Sequence, residues 1–231
     1  ILFRFVKCNT NNVFVALLLY YILNYFEYNM EVMREAIAVV LGLVAAMQYG
    51  QNKKLYYVIF AILAFEFHIS AIILAIIPLI AKIKYSRELV VCTILLSIII
   101  PFVFTKISGL ASIINLFAAS DPEYLLHYLN QSIDDSRNFF YYLDLYVSYL
   151  ILPVLCLLVL KEKTKYIGMI IVFILIRCMG MFTYAFYRLG NYFEPFYWIL
   201  LADTVFYYWK RWRIPKPLLT IGLTLLMLFI Y

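Results

Sequence analysis

Charge is what this chain has least of. Only 14% of its residues are Asp, Glu, Lys or Arg, 66% are apolar, and the mean hydropathy is +0.92. Soluble domains carry about a quarter charged residues, so a soluble globular fold is excluded. The apolar runs are long and do not alternate, which argues against barrel strands and for an all-α, polytopic transmembrane bundle. Cysteine is scarce too. Cys8, Cys92, Cys156 and Cys178 lie far apart, three of them inside apolar runs, with neither metal spacing nor a disulfide framework. The chain has no P-loop, GxGxxG, HExxH, GxSxG or paired CxxC motif, which leaves no ATP-driven engine, cofactor or metal to expect within these residues. No secretory signal is recognisable. The first residue is not Met, and the last apolar run, 218–231, simply stops. The expectation is one transmembrane domain over 1–231 that forms the later part of a longer protein.

What charge there is falls in a pattern. The net charge of +6 does not point to nucleic acid, because the basic residues sit in short clusters between apolar runs. Arg4 and Lys7, Lys53 and Lys54, Lys82 to Arg87, Lys161 to Lys165 and Lys210 to Lys216 mark the cytoplasmic side by the positive-inside rule. Threading the chain accordingly sends 13–28 out, 34–50 back, 55–66 out, 69–81 back and 88–104 out. A long external loop covers 105–143. Then 144–160 returns, 166–186 goes out, 191–209 returns and 217–231 goes out, about nine crossings in all. The pieces 55–66 and 69–81 are each shorter than the roughly 17 residues needed to span. One tilted helix through both would put Lys53 and Lys82 on opposite sides. The basic clusters favour instead a hairpin of short helices turning near His68. Most acidic residues then lie outside, an asymmetry the threading did not use. The external loop is too apolar for a plain linker. Residues 107–119 can lie flat at the interface, and a helix over 124–130 is capped by Asp121 with Pro122 in its first turn. It reads as an ordered lid.

Polar side chains inside such a scaffold are functional candidates. Arg34 opens an apolar helix and is flanked by Glu31 and Glu35; it can be an interfacial snorkelling residue or an anion ligand. His68, bracketed by Phe65, Phe67 and Ile69, can be a packed residue or a proton-transfer group at the hairpin apex. Arg188 lies in Thr183-Tyr-Ala-Phe-Tyr-Arg-Leu-Gly-Asn-Tyr192, with Tyr184 four residues before it and Asn191 and Tyr192 after it. Arg177, Met181, Tyr184 and Arg188 share a helical stripe about 16 Å long. The deeper Arg177 is expected to pair with Asp203 on the following crossing. Tyr and Phe are abundant; most suit an interfacial belt, although the 139–149 run can also stack on sugar rings.

Three stretches resemble a known family. Met33-Arg34-Glu35-Ala36-Ile37-Ala38, the Lys53-Lys54 turn, and Ala64-Phe65-Glu66-Phe67-His68-Ile69-Ser70-Ala71 resemble the EpsG family of multi-spanning bacterial membrane proteins, of the Wzy-like polysaccharide polymerase type. Tyr187-Arg188-Leu189-Gly190-Asn191-Tyr192-Phe193-Glu194-Pro195 is similar to a later element of that family. Glu35 stands where the family often has glutamine, so a carboxylate competes with any anion for the neighbouring arginine. The resemblance implies polymerisation of undecaprenyl-diphosphate-linked repeat units of an exopolysaccharide, capsule or O-antigen outside the bacterial cytoplasmic membrane. Lipid-linked oligosaccharide, bilayer and other polysaccharide-assembly proteins are the implied partners. Arg34, His68 and Arg188 become the expected catalytic residues, and Glu35, Tyr184, Asn191, Tyr192 and Glu194 the expected substrate contacts. A transporter or flippase of an anionic lipid-linked solute would use the same arginines, but would need a charged site near the midplane. A membrane acyltransferase also joins His and Arg but has no further support.

Overall fold

The structure is a computed structural model that describes residues 1–10, 12–26, 33–106, 145–161, 164, 166–180 and 184–212. The described residues are helical and contain no strand. Among the described residues ten α-helices follow in chain order: α1 Leu2–Asn9, α2 Val13–Phe26, α3 Met33–Gly50, α4 Lys54–Phe67, α5 Ile77–Ile80, α6 Arg87–Lys106, α7 Leu152–Leu160, α8 Ile167–Gly180, α9 Tyr184–Asn191 and α10 Glu194–Trp212. A 3₁₀ helix, Ile69–Ile76, links α4 to α5, and a π-helical turn, Val147–Ile151, leads into α7. By length and composition, one described helix, Met33–Gly50, can cross a membrane alone; Ile69–Ile80, Val147–Leu160 and Ile167–Gly180 are apolar but shorter. The expected loop 105–143 from residue 107 on, and the expected crossing 217–231, lie outside the described residues.

The α3–α4 hairpin is written locally. Asn52 takes φ 60°, a left-handed conformation that asparagine tolerates, and ends α3. Lys53 N–H reaches Gln48 O at 2.9 Å and Asn52 N–H reaches Tyr49 O at 2.9 Å, the paired bonds of a Schellman stop. α4 then runs back along α3. At His68 the chain reverses again: Tyr57, early in α4, donates its hydroxyl to Leu74 O at 2.8 Å. Tyr49, at the end of α3, approaches Pro78 O at 3.4 Å. So 55–81 is a hairpin of two short pieces, and the turns bearing Lys53 and Lys82 lie at one end of the bundle.

Two tyrosine hydroxyls donate to backbone carbonyls beside prolines. Leu74 O takes the Ile77 N–H that closes the 3₁₀ helix, and because Pro78 has no N–H to offer, Tyr57 OH meets the oxygen's second lone pair. Within the π-helical turn, Ser148 O would take an N–H from position 153, which is proline; Tyr197 OH fills that place at 2.8 Å. Such substitutions matter most where no water can serve.

The segment expected as one outward crossing, 166–186, is not a single helix. α8 stops at Gly180, and α9 lies antiparallel against its end. A Cβ on Gly180 would meet Tyr187 N at 2.8 Å, and one on Gly190 would meet Arg177 Cδ at 3.0 Å. The two glycines let the backbones approach this closely. α9 therefore belongs to the return, which a turn at 192–193 interrupts before α10 continues down along α8. Phe173 stacks on Tyr197 with ring centroids 5.0 Å apart, and Tyr166 lies against Phe196 at 4.9 Å.

Candidate functional site

One end of the bundle gathers two arginines and two glutamates. Glu35 lies in the first turn of α3 and Glu194 in the first turn of α10. Arg177 lies in the last turn of α8 and Arg188 in the last turn of α9. Each carboxylate is thus at a positive helix end and each guanidinium at a negative one, the favourable arrangement for all four.

Asn191 joins the two pairs. Its Nδ2 donates to Glu35 Oε1 at 2.8 Å, and its Oδ1 accepts from Arg177 Nη2 at 2.9 Å. The same Nη2 donates to Glu194 Oε2, and Arg177 Nη1 donates to Tyr187 O at 3.2 Å. Aromatic rings enclose the guanidinium: Tyr187 at 4.0 Å, Tyr149 at 5.0 Å and Phe173 at 5.6 Å from ring centroid to Cζ. Arg177 and Glu194 are almost fully buried. Removing one partner of such a pair strands a buried charge at a cost of about 3–5 kcal/mol. Arg188 is held differently. Its side chain is 17% exposed, and its Nε stands 3.6 Å from Glu35 Oε2. The four charges sum to zero, with one tight pair and one loose one.

The expected Arg177–Asp203 pair gives way to Arg177–Glu194. Asp203 sits nine residues further along α10, about 13.5 Å away, and accepts from Thr10 Oγ1 at 2.6 Å. The interrupted return explains the change: α9 occupies the level where an unbroken α8 would have continued, and brings Glu194 rather than Asp203 opposite Arg177.

Arg34 does not join this cluster. It is exposed, while Glu35, one position on and about 100° round the helix, faces Arg188. The place beside Arg188 belongs to Glu35 and not to Arg34. Glu31 lies outside the described residues, and Tyr184 opens α9.

His68 stands at the same end. It ends α4 and caps the 3₁₀ helix in an extended conformation, φ −154° and ψ 127°. Its Nδ1 is 2.5 Å from Ser70 Oγ and accepts from Ser70 N–H at 3.3 Å. Ser70 Oγ is in turn 3.1 Å from Tyr192 OH. The charge of Arg188 bears on both His68 and Tyr192. The Tyr192 ring passes over α3 where Gly42 leaves room: a Cβ there would stand 3.2 Å from Tyr192 Cδ1. Two hydrogen-bonded groups thus stand at this end of the bundle, His68–Ser70–Tyr192 and Glu35–Asn191–Arg177–Glu194.

Of the expected substrate contacts, Asn191, Tyr192 and Glu194 are buried with their polar atoms engaged, so they position their neighbours. Sequence reasoning missed Ser70 as a partner of His68, although a serine two residues after a cap residue is a signal for it. It also missed Asn191 as a bridge, for which no sequence signal exists, since Glu35 is 156 positions away. Among the described residues no group of three His, Cys, Asp or Glu gathers as a metal site would require.

The model of the EpsG family matches residues 1–231, the whole chain. No curated protein and no solved structure matches it.

Proposed function

From the premise that the chain belongs to the EpsG family, we propose that it polymerises undecaprenyl-diphosphate-linked repeat units at the external face of the bacterial cytoplasmic membrane. Membership itself makes it a membrane protein with a polysaccharide polymerase-like role. The finer reading is a polytopic glycosyltransferase of about nine crossings, building an exopolysaccharide, capsule or O-antigen. One observation carries it: Arg188 is a partly exposed cation 3.6 Å from Glu35 at the end of the bundle where Arg177 is buried against Glu194. An incoming diphosphate can take such a guanidinium through two parallel hydrogen bonds.

In the proposed reaction, the acceptor sugar's hydroxyl oxygen attacks the anomeric carbon of the donor. The bond from that carbon to the diphosphate oxygen breaks, and the lipid diphosphate leaves with the electron pair. Arg188 stabilises its charge as it develops. The hydroxyl proton passes to a carboxylate, for which Glu35, buried behind Arg188, becomes reachable when Arg188 turns to the diphosphate. When Arg188 turns to the diphosphate, Glu35 loses a neighbouring cation and becomes the better base. Exposed Arg34 meets the anionic lipid at the surface, and Tyr184 at the start of α9 contacts the sugar. Asn191, Tyr192 and Glu194 hold the frame.

The transporter reading needs a deep charged site. Its candidate was Arg177 with Asp203, and Arg177 instead pairs with Glu194 beside the other charges. The test is Arg188→Gln in purified chain extension on a lipid-linked repeat unit. The expected result is about a 100-fold fall in extension rate, of the order of losing one oxyanion donor, at normal membrane abundance. Wild-type extension by Arg188→Gln would remove the basis of the proposal.

A further inference from the structure

The hydrogen-bond chain at the α4 reversal has a direction that one backbone amide fixes. Ser70 N–H points to His68 Nδ1 at 3.3 Å, and an amide N–H can only donate. Nδ1 therefore presents a lone pair, and neutral His68 carries its proton on Nε2. Ser70 Oγ, 2.5 Å from the same Nδ1, must give its single hydrogen there. Only lone pairs then remain on Ser70 Oγ to meet Tyr192 OH, so Tyr192 donates. The chain runs from Tyr192 O–H to Ser70 O–H to His68 Nδ1.

We infer that Ser70 and Tyr192 are positioning residues that hold His68 as its Nε2–H tautomer, so that His68 meets the substrate's diphosphate as a hydrogen-bond donor and not as the base. The tautomer stands on the geometry alone; the diphosphate as recipient rests on the polymerase reading. In this tautomer Nε2 has no lone pair with which to take a proton, and Nδ1 already accepts twice. A proton added to Nδ1 would set two N–H groups against each other and leave the Ser70 amide without an acceptor. Passing the Nε2 proton on, with replacement along the chain, would end at Tyr192, whose side chain is buried, and would leave a phenoxide there. The Nε2–H is therefore shared, not surrendered. No bond to hydrogen breaks at His68, and the acceptor's proton goes to Glu35. In the polymerase reading His68 and Arg188, both at this end of the bundle, address the same departing anion.

The chain has two histidines, His68 and His127. In a His127→Gln protein labelled with ¹⁵N-histidine and reconstituted in liposomes, solid-state NMR reads which ring nitrogen of His68 bears the proton. The expected spectrum has a protonated Nε2 and a bare Nδ1, kept in Ser70→Thr, which retains the hydroxyl, and mixed with the other tautomer in Ser70→Ala. A wild-type Ser70 protein protonated at Nδ1 overturns the inference. Farnesyl diphosphate should shift the Nε2 resonance and farnesol should not; equal response to both overturns the diphosphate as recipient. In chain extension at matched abundance, His68→Gln, whose amide can replace the donor, should stay within about tenfold of wild type, while His68→Ala falls about 100-fold. Equal losses in the two variants overturn the donor role. The expected tautomer in a protein that extends no glycan would refute the polymerase reading and leave the hydrogen-bond chain standing.

Discussion

Replacing Asn191 by aspartate changes one group of the polar network and should make its stability depend on pH. Asn191 Oδ1 accepts from Arg177 at 2.9 Å, and Nδ2 donates to Glu35 at 2.8 Å. Asn191→Asp keeps the first oxygen and puts a second where the NH₂ was, so two carboxylates meet. At the 2.8 Å of the present contact, unit charges in an effective dielectric of about 20 repel by about 6 kcal/mol, and Arg177, already neutralised by Glu194, does not offset a fifth charge in a cluster that sums to zero. A proton between them removes the repulsion and restores a donor. Holding it at pH 7 on a carboxyl of ordinary pKa about 3.9 costs about 4 kcal/mol. The protonated pair is the cheaper solution, so the folded variant keeps a proton that the unfolded chain has lost. Stability then falls as pH rises above about 4, by about 1.4 kcal/mol per pH unit. The deficit against the parent should be about 2 kcal/mol at pH 5.5 and near 5.5 kcal/mol at pH 8. At about 3 °C per kcal/mol for a chain of this size, the Tm deficit widens from about 6 to about 16 °C. Thermal unfolding in detergent, followed by tryptophan fluorescence at the two pH values, measures it. Asn191→Ala, which loses both bonds without adding a charge, should show a deficit that does not change with pH. An Asn191→Asp protein with the parent Tm at pH 8, or with a pH-independent deficit, would refute the bridge.

Helix contacts make a second, graded prediction. A Cβ on Gly168 would stand 1.9 Å from Ile80 O, a backbone atom, whereas one on Gly42 would stand 3.0 Å from Leu74 Cδ2, the end of a flexible side chain. Gly168→Ala should forfeit more than about 3 kcal/mol and Gly42→Ala about 1–2 kcal/mol; Tm values in the reverse order would contradict the packing of α8 on α5. Tyr197→Phe should cost about 1–3 kcal/mol by leaving Ser148 O without a donor. Pro153→Ala, which returns an N–H, should recover part of that loss, and no recovery would mean that the proline is not the cause. With Cys8 and Cys92 changed to serine, single cysteines at Gln51 and Lys84 should react with an impermeant maleimide from the same membrane face, because Tyr49 and Pro78 meet. Labelling from opposite faces would undo the hairpin through 55–81.

The amino-acid sequence alone determined the helical class, the two hairpin reversals and the end of the bundle where charged and polar side chains gather. Each depends on local or additive physics. Low charge and long apolar runs demand helices, Asn52 and the basic turn stop α3, and a polar His68-Ile69-Ser70 inside apolar runs marks a reversal. Arg188 was legible for the same reason, as a cation in an apolar setting. The partners of these residues were not. Arg34 and Glu35 are adjacent, and the periodicity of 33–50 does not say which of them turns inward; α9, packed through Gly190 and Asn191, selects Glu35. Likewise Glu194 and Asp203 both lie on α10. Only the antiparallel packing of α9 on α8 and the interrupted return put Glu194 level with the guanidinium and leave Asp203 to Thr10. Helical spacing fixes which residues share a face, but rotation about the helix axis and the level at which two helices meet are set by side-chain packing between segments far apart in the chain. Those two quantities decided which charges pair.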